Sequence, residues 1–421
     1  MDRDSELFDL IGDLIMCHSP SGVEARIDAF LLQRLSELGI EAALDAAGNV
    51  VARIPGSGAG KLAITAHKDE IGASVSTVGD DGRLRLRALG SSFPWVYGEG
   101  IVDILGDNET IQGVLSFGSR HITRASPQYP QQETAPVKWS DVWVETKCSC
   151  DDIAKAGVRP GSRVLVARHR KAPYRLGDHI AGYTLDNKAS VAVLIELAKR
   201  IRNPVSEICL VFSSMEEVGA CGALYFTRNE PVDAIIALEI APLSDEYDIV
   251  DGPDPVIYAQ DGYGLYHEGL NGRIAAAAAR AGVGLQRSVV HDFGSDASIV
   301  MRNGHAPRGA CLAFPTQNTH GYEIARLPRS GTASPSSMNF ARGICRNGDA
   351  GPPDAGPCRR TASRTPDAIG QGPAANHPDR RAARRLRAGR KPAPERRPGA
   401  DTTNPRSEED PATRRQRTNR R

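Results

Sequence analysis

Apolar positions follow two periods along this chain, and both then stop. Near the start Leu7, Phe8, Leu10, Ile11, Leu14 and Ile15 recur at helical spacing and give way to Ser19-Pro20-Ser21-Gly22. Ile27, Phe30, Leu31, Leu35 and Leu38 place a second stripe on a second helix, which ends at Gly39. Both match the 3.6-residue period of a helix with one face buried. Short strands are predicted around 42–44 and 49–54, and Pro55-Gly56-Ser57-Gly58 turns the chain into a strand over 61–66 that ends on His67-Lys68-Asp69-Glu70. From about 71 to 175 the period drops to two, as in Leu84-Arg85-Leu86-Arg87 and Ile101-Val102-Asp103-Ile104, with Val142-Trp143-Val144 and Arg163-Val164-Leu165-Val166 later. These are half-buried strands between Gly and Asp turns, and only 151–156 reads as helix there.

Near His179 strands and helices alternate again. A helix with an almost unbroken apolar section, Ala189 to Leu197, follows Asp186, and the run Ile208-Cys209-Leu210-Val211-Phe212 is a buried strand. Helices over 221–226, 269–281 and 295–301 separate strands over 234–238, ending on Glu239, and 310–314, leading to His320. The pattern predicts an α/β fold with a mostly parallel sheet flanked by helices and an inserted, small β-barrel-like domain. The expected boundaries are 1–70 for the first part of the α/β domain, 71–175 for the β-rich insert and 176–327 for the second part.

After Leu327 neither period survives. Residues 328–421 are mostly Pro, Gly, Ala, Ser, Thr and Arg, a composition that cannot bury enough surface to offset chain entropy and predicts disorder. It is also the mixture that an out-of-frame translation of GC-rich sequence yields, and we favour that over a basic tail for nucleic acid. The formal net charge of +1 conceals this segment. It carries roughly twenty arginines and about half as many acids, so the body is net acidic by about ten charges, which argues against nucleic-acid binding by the body. The eight cysteines show no framework spacing, and Cys148-Ser149-Cys150 is too tight for a zinc knuckle. With no signal-like N-terminus and no run long enough for a membrane span, the expectation is a soluble, cytoplasmic protein.

The candidate chemistry lies at strand ends. The strand through Phe212 runs into Ser213-Ser214-Met215-Glu216-Glu217-Val218-Gly219, two adjacent carboxylates on a turn, where one can bind a cation while the other moves a proton. His67 and Glu239 end other strands, His320 follows the last, and Asp186 opens a helix that it could equally cap. Carboxyl ends of parallel strands converge. One imidazole and one carboxylate per ion, with a further carboxylate shared, is what two zinc or cobalt ions about 3.5–4 Å apart require.

The motifs His67-Lys68-Asp69-Glu70-Ile71-Gly72, Leu185-Asp186-Asn187-Lys188, Glu216-Glu217-Val218-Gly219-Ala220-Cys221-Gly222-Ala223, Glu239 and Thr319-His320-Gly321-Tyr322-Glu323 stand in the order and separations of the M42 metallo-aminopeptidases. The chain resembles that family from about Leu7 to Leu327, with Gly294-Ser295-Asp296-Ala297 similar to a further family stretch. The resemblance implies a zinc-peptidase-like fold whose insert is a dimerisation domain, in a homo-oligomer built from dimers, up to a dodecamer. It implies two divalent metal ions, zinc or cobalt, with His67 and Glu239 on one, Glu217 and His320 on the other and Asp186 bridging. Glu216 is then the general base toward a metal-bridged hydroxide, Asp69 orients His67, and N-terminal residues of short peptides are hydrolysed. The family would continue past Glu323 into a final helix; without it, apolar sheet surface is expected to be exposed. The alternatives are a related co-catalytic zinc deacylase or carboxypeptidase, and an inactive truncated, frameshifted product.

Overall fold

The computed structural model of the chain describes residues 3–327, so the expectations for the 328–421 segment lie outside the described residues. The centre is a twelve-stranded sheet. Four neighbouring strands run parallel in the order Glu207–Ser213, Lys61–His67, Ala234–Pro242 and Gly309–Gln317. Their aliphatic residues make continuous buried runs, such as Ile208 to Phe212 and Ile235 to Ala237, because helices cover both faces. Antiparallel strands extend both edges: Val50–Ile54 beside Glu207–Ser213, and Tyr322–Arg326 followed by His179–Tyr183 beyond Gly309–Gln317. The sheet is therefore mixed, with a parallel core narrower than the apolar runs alone suggested.

On one face the helices Arg3–Ile15, Ala25–Glu37 and Leu185–Ala198 close a core that includes Leu14, Leu31, Leu194, Ile195 and Phe212. From Ala189 to Ala198 this last helix is mostly apolar and mostly buried, as its sequence requires. The other face is covered by Cys221–Asn229 and Asp296–Arg302 over Val211, Ile235, Ala237 and Cys311. Beside Leu327 an apolar groove lined by Leu7, Ile11, Ile236, Leu238, Leu312 and Phe314 remains on the first face among the described residues.

Between Lys61–His67 and His179–Tyr183 the chain forms a closed six-stranded barrel, from Gly72–Val78 to Arg163–Val166. Its period-two strands alternate as read: Leu84 and Leu86 are buried while Arg85 and Arg87 are exposed. Val75, Val102, Ile104, Leu115, Val144 and Val164 complete the barrel core.

Candidate metal centre

Parallel strands end together, and here the ends carry the chemistry. His67, last residue of its strand, is level with Ser213, last residue of the next, so the turn holding Glu216 and Glu217 starts beside the imidazole. Met215 has φ 52, the left-handed turn that lifts the two glutamates off the strand. Glu239 is reached one strand further along. His320 follows its strand on a turn with φ 56 at Asn318 and 61 at His320.

Asp186 lies at the middle of the group. Although it opens the helix Leu185–Ala198, its backbone is not helical (φ −73, ψ 102), and its carboxylate reaches the strand ends. One oxygen is 3.1 Å from His67 Nε2 and the other 3.4 Å from His320 Nε2. Two donor sets result, His67 with Asp186 and Glu239, and Asp186 with Glu217 and His320, and within each the ligand atoms lie within 4.8 Å of one another. Asp186 belongs to both. Glu216 belongs to neither, with its carboxylate 3.9 Å from His67 Nε2. Asp69 is 3.4 Å from His67 Nδ1 and accepts from Ser21 Oγ (2.7 Å) and the backbone N–H groups of Glu216 (3.0 Å) and Glu217 (3.3 Å). It therefore ties the imidazole to the two-glutamate turn.

The charges are unbalanced. Among the described residues, no lysine or arginine lines the cavity that holds these groups. Burial drives Glu216 and Glu239 well above the usual carboxylate range, with His67 opposing the shift, and carries Glu217 to about 7 against the pull of His320. For the imidazoles burial works against the charged form and is outweighed: Glu217 and Asp186 push His320 up to about 11, and Glu239, Asp186 and Asp69 raise His67 well above its ordinary value. Burial also opposes ionisation of Asp186, but the two imidazoles hold it far below the ordinary range. The donor set of imidazoles and carboxylates fits divalent cations, whose binding would displace protons from these groups.

Three further contributors escaped the sequence reading. Glu323 is buried and accepts from the backbone N–H of Asp186 (2.9 Å) and of His320 (3.1 Å), clamping two donor residues 137 and 3 positions away. Ser91, on the segment between two barrel strands, offers its carbonyl 3.1 Å from His320 Nδ1, so the barrel orients one imidazole. Asp296 is buried behind the site, where Ser213 Oγ donates to it at 2.5 Å. Glu323 lies in a motif already singled out, but nothing in its spacing shows that it binds backbone.

Lys68, between His67 and Asp69, points to the other side of the strand end, as a period of two requires. It is fully buried and paired with Glu24 and with Asp28 at 2.8 Å. The cavity over the donor sets has a volume of about 390 Å³ and is walled by Phe93, Ile240, Tyr258, Tyr263 and Phe293 among others.

Comparison with known proteins bears on this geometry. A putative aminopeptidase of Acetivibrio thermocellus is 25% identical over 324 residues, covering 76% of this chain and 93% of that protein. A glutamyl aminopeptidase of Lactococcus lactis is 24% identical over 58% of this chain and 68% of its own length, and a lysyl aminopeptidase of Pyrococcus furiosus is 26% identical over 51% and 61%. In fold the chain is similar to the Pyrococcus horikoshii TET1 peptidase, described as assembling into a tetrahedron or a large octahedral shell, with a TM-score of 0.71 at 21% identity over 81% of this chain and 99% of that one. The family model for M42 glutamyl aminopeptidases matches residues 48–329, a span that contains every residue of the two donor sets, and the chain belongs to the M42 peptidases, which hydrolyse peptide bonds.

Proposed function

We propose that this protein is a dinuclear metal-dependent aminopeptidase that releases N-terminal residues from short peptides. The observation that carries the reading is a single carboxylate, Asp186, set between two imidazoles that each have a further glutamate, with a fourth carboxylate, Glu216, left outside both sets. His67 and Glu239 would hold one zinc or cobalt ion, Glu217 and His320 the other, and Asp186 both. Bound there, such a pair supplies Lewis acidity, which lowers the pKa of water and polarises a carbonyl.

The chain's own residues do the rest. Glu216, whose burial raises its proton affinity, takes a proton from the attacking water and delivers it to the leaving amine. Asp69 fixes the orientation of His67 and, through two backbone N–H groups, the position of Glu216 relative to it. Glu323 and the Ser91 carbonyl hold His320.

The assembly proposed is a homo-oligomer built from dimers, up to a dodecamer. In it the barrel, as a domain over 71–175 inserted between 1–70 and 176–327, serves as the dimer contact, and the setting is cytoplasmic. Among the described residues no helix is long and apolar enough to cross a membrane. A panel of aminoacyl and N-acyl chromogenic substrates, assayed with added zinc or cobalt, tests the activity. Release from aminoacyl substrates supports it. Exclusive hydrolysis of N-acyl amino acids would transfer the site to the deacylase and carboxypeptidase type, and no hydrolysis of either would leave the chain an inactive product.

A further inference from the structure

An aminopeptidase activity leaves open which N-terminal residues are removed, since relatives in the family bear both glutamyl and lysyl names. The cavity over the donor sets narrows the choice. Beyond the metal centre its walls are Ile240, Pro242, Tyr258, Tyr263, Phe293 and Ile299, and several of them are held by their neighbours. Tyr258 donates its hydroxyl to the Ile240 carbonyl at 2.9 Å, and Phe293 stands edge-on to Tyr258 and Tyr247 with ring centroids 6.4 and 6.2 Å away. Tyr263 starts from a turn in which Asp261 accepts its N–H at 2.8 Å, and its ring lies so close to Gly294 that a Cβ there would sit 2.2 Å from Cδ2.

Polar groups in the lining are few. Among the described residues, and outside those already placed in the metal centre, the one charged side chain in the lining is Asp292, exposed, with φ 62. Arg302 approaches the Tyr263 ring, 5.5 Å from its centroid, but does not line the cavity. An acidic substrate side chain would therefore meet aromatic walls and a carboxylate, with no cation to receive it. A long aliphatic stem ending in a cation would lie along the rings and reach Asp292.

Resting on the aminopeptidase reading, we propose that this subsite prefers N-terminal lysine and arginine, takes neutral apolar residues less well and rejects aspartate and glutamate, with Asp292 as the specificity-determining residue.

The test compares kcat/KM for lysyl, leucyl and glutamyl chromogenic substrates in the full-length, metal-loaded protein and in Asp292→Asn. Asparagine shares the tolerance of aspartate for left-handed backbone, so the variant changes charge with little change in shape. The lysyl-to-leucyl ratio is expected to fall roughly threefold in the variant, the size of one exposed charge contact, and in the unsubstituted protein to fall as salt is raised. The glutamyl substrate is expected to be the poorest. A ratio that neither the substitution nor salt moves, or glutamyl release faster than lysyl, overturns the proposal. Should none of the three be hydrolysed, the peptidase reading fails and the subsite is still decided by calorimetry on the Glu216→Gln protein. Lysine bound more tightly than glutamate supports the assignment, and equal or reversed affinities overturn it.

Discussion

Two groups of buried carboxylates flank the strand end at His67, and the chain treats them in opposite ways. Behind it, Glu24 and Asp28 share Lys68, and Glu70 meets Lys171 at 2.5 Å and accepts from the Ser19 N–H at 2.7 Å. Lys188 joins this group by donating to Ser19 Oγ and, at 2.6 Å, to the Lys68 carbonyl. All three lysines are fully buried. Burial alone would raise Glu70, yet Lys171, Lys188 and His18 bring it below the usual carboxylate range. In front of the strand end, Glu216, Glu217 and Glu239 have no lysine partner among the described residues and are raised. Behind the strand end the described residues supply lysines to the carboxylates; in front of it they supply none, and the proposed reading fills that place with metal.

The largest effect should come from the one front carboxylate outside both donor sets. Glu216→Gln is expected to lower kcat by about a thousandfold, the scale of a lost general base, while metal content stays at the unsubstituted level. Steady-state kinetics beside elemental analysis checks both halves, and loss of metal with activity would make Glu216 a ligand instead.

Behind the strand, Lys171→Met removes one partner of a buried pair that joins the helix-side turn to the barrel region, and should cost about 3–5 kcal/mol of stability by denaturant unfolding. A cost near zero would mean that Glu70 finds water or another partner, and the contrast between the two groups would weaken.

Glu323→Gln keeps an acceptor but halves the clamp on Asp186 and His320. Metal affinity is expected to fall by roughly tenfold to a hundredfold, with the fold intact by circular dichroism.

Glu217 and Glu70, one from each group, should also answer pH with opposite signs. In the metal-free protein a raised acid such as Glu217 favours the folded state while protonated; this advantage is present below its ordinary 4.5 and is lost as pH rises to about 7. His320 adds to the same trend, since its contribution is present below 6.5 and disappears as pH passes about 11. Glu70 is depressed, so its contribution is present above 4.5 and lost as pH falls. Metal-free protein should therefore become less stable between pH 5 and pH 8 on thermal unfolding, and divalent metal should flatten or reverse that slope by displacing the protons. A slope that metal does not alter would separate these residues from metal binding.

Much of this arrangement could be read from sequence because strand ends are easy to recognise. The runs ending at Ala66, Phe212 and Leu238 are short, apolar and bounded by polar residues, and parallel strands must deliver the residues just past them to one edge. Two kinds of information were not legible. Short strands such as Tyr322–Arg326, which pairs with His179–Tyr183 and Gly309–Gln317, and Val256–Asp261, which pairs with Gln286–Val289 and Gly309–Gln317, depend on partners that their own period does not reveal. Backbone clamps were also hidden, because Glu323 and Ser91 act through main-chain groups whose partners are set by the fold. Lys68 shows the same limit from the other side. Alternation at the strand end turns it away from the two site residues it separates, but only the tertiary structure supplies Glu24 and Asp28 as its partners.

The proposed reading places two divalent cations in the front group. Calorimetric titration of metal-stripped, full-length protein with zinc or cobalt, with proton release followed in buffers of different ionisation heat, measures this directly. The prediction is two ions per chain with net proton release, and loss of binding at both positions in Asp186→Asn. Binding of no ion, or of ions without proton release and with the same stoichiometry in Asp186→Asn, would contradict it.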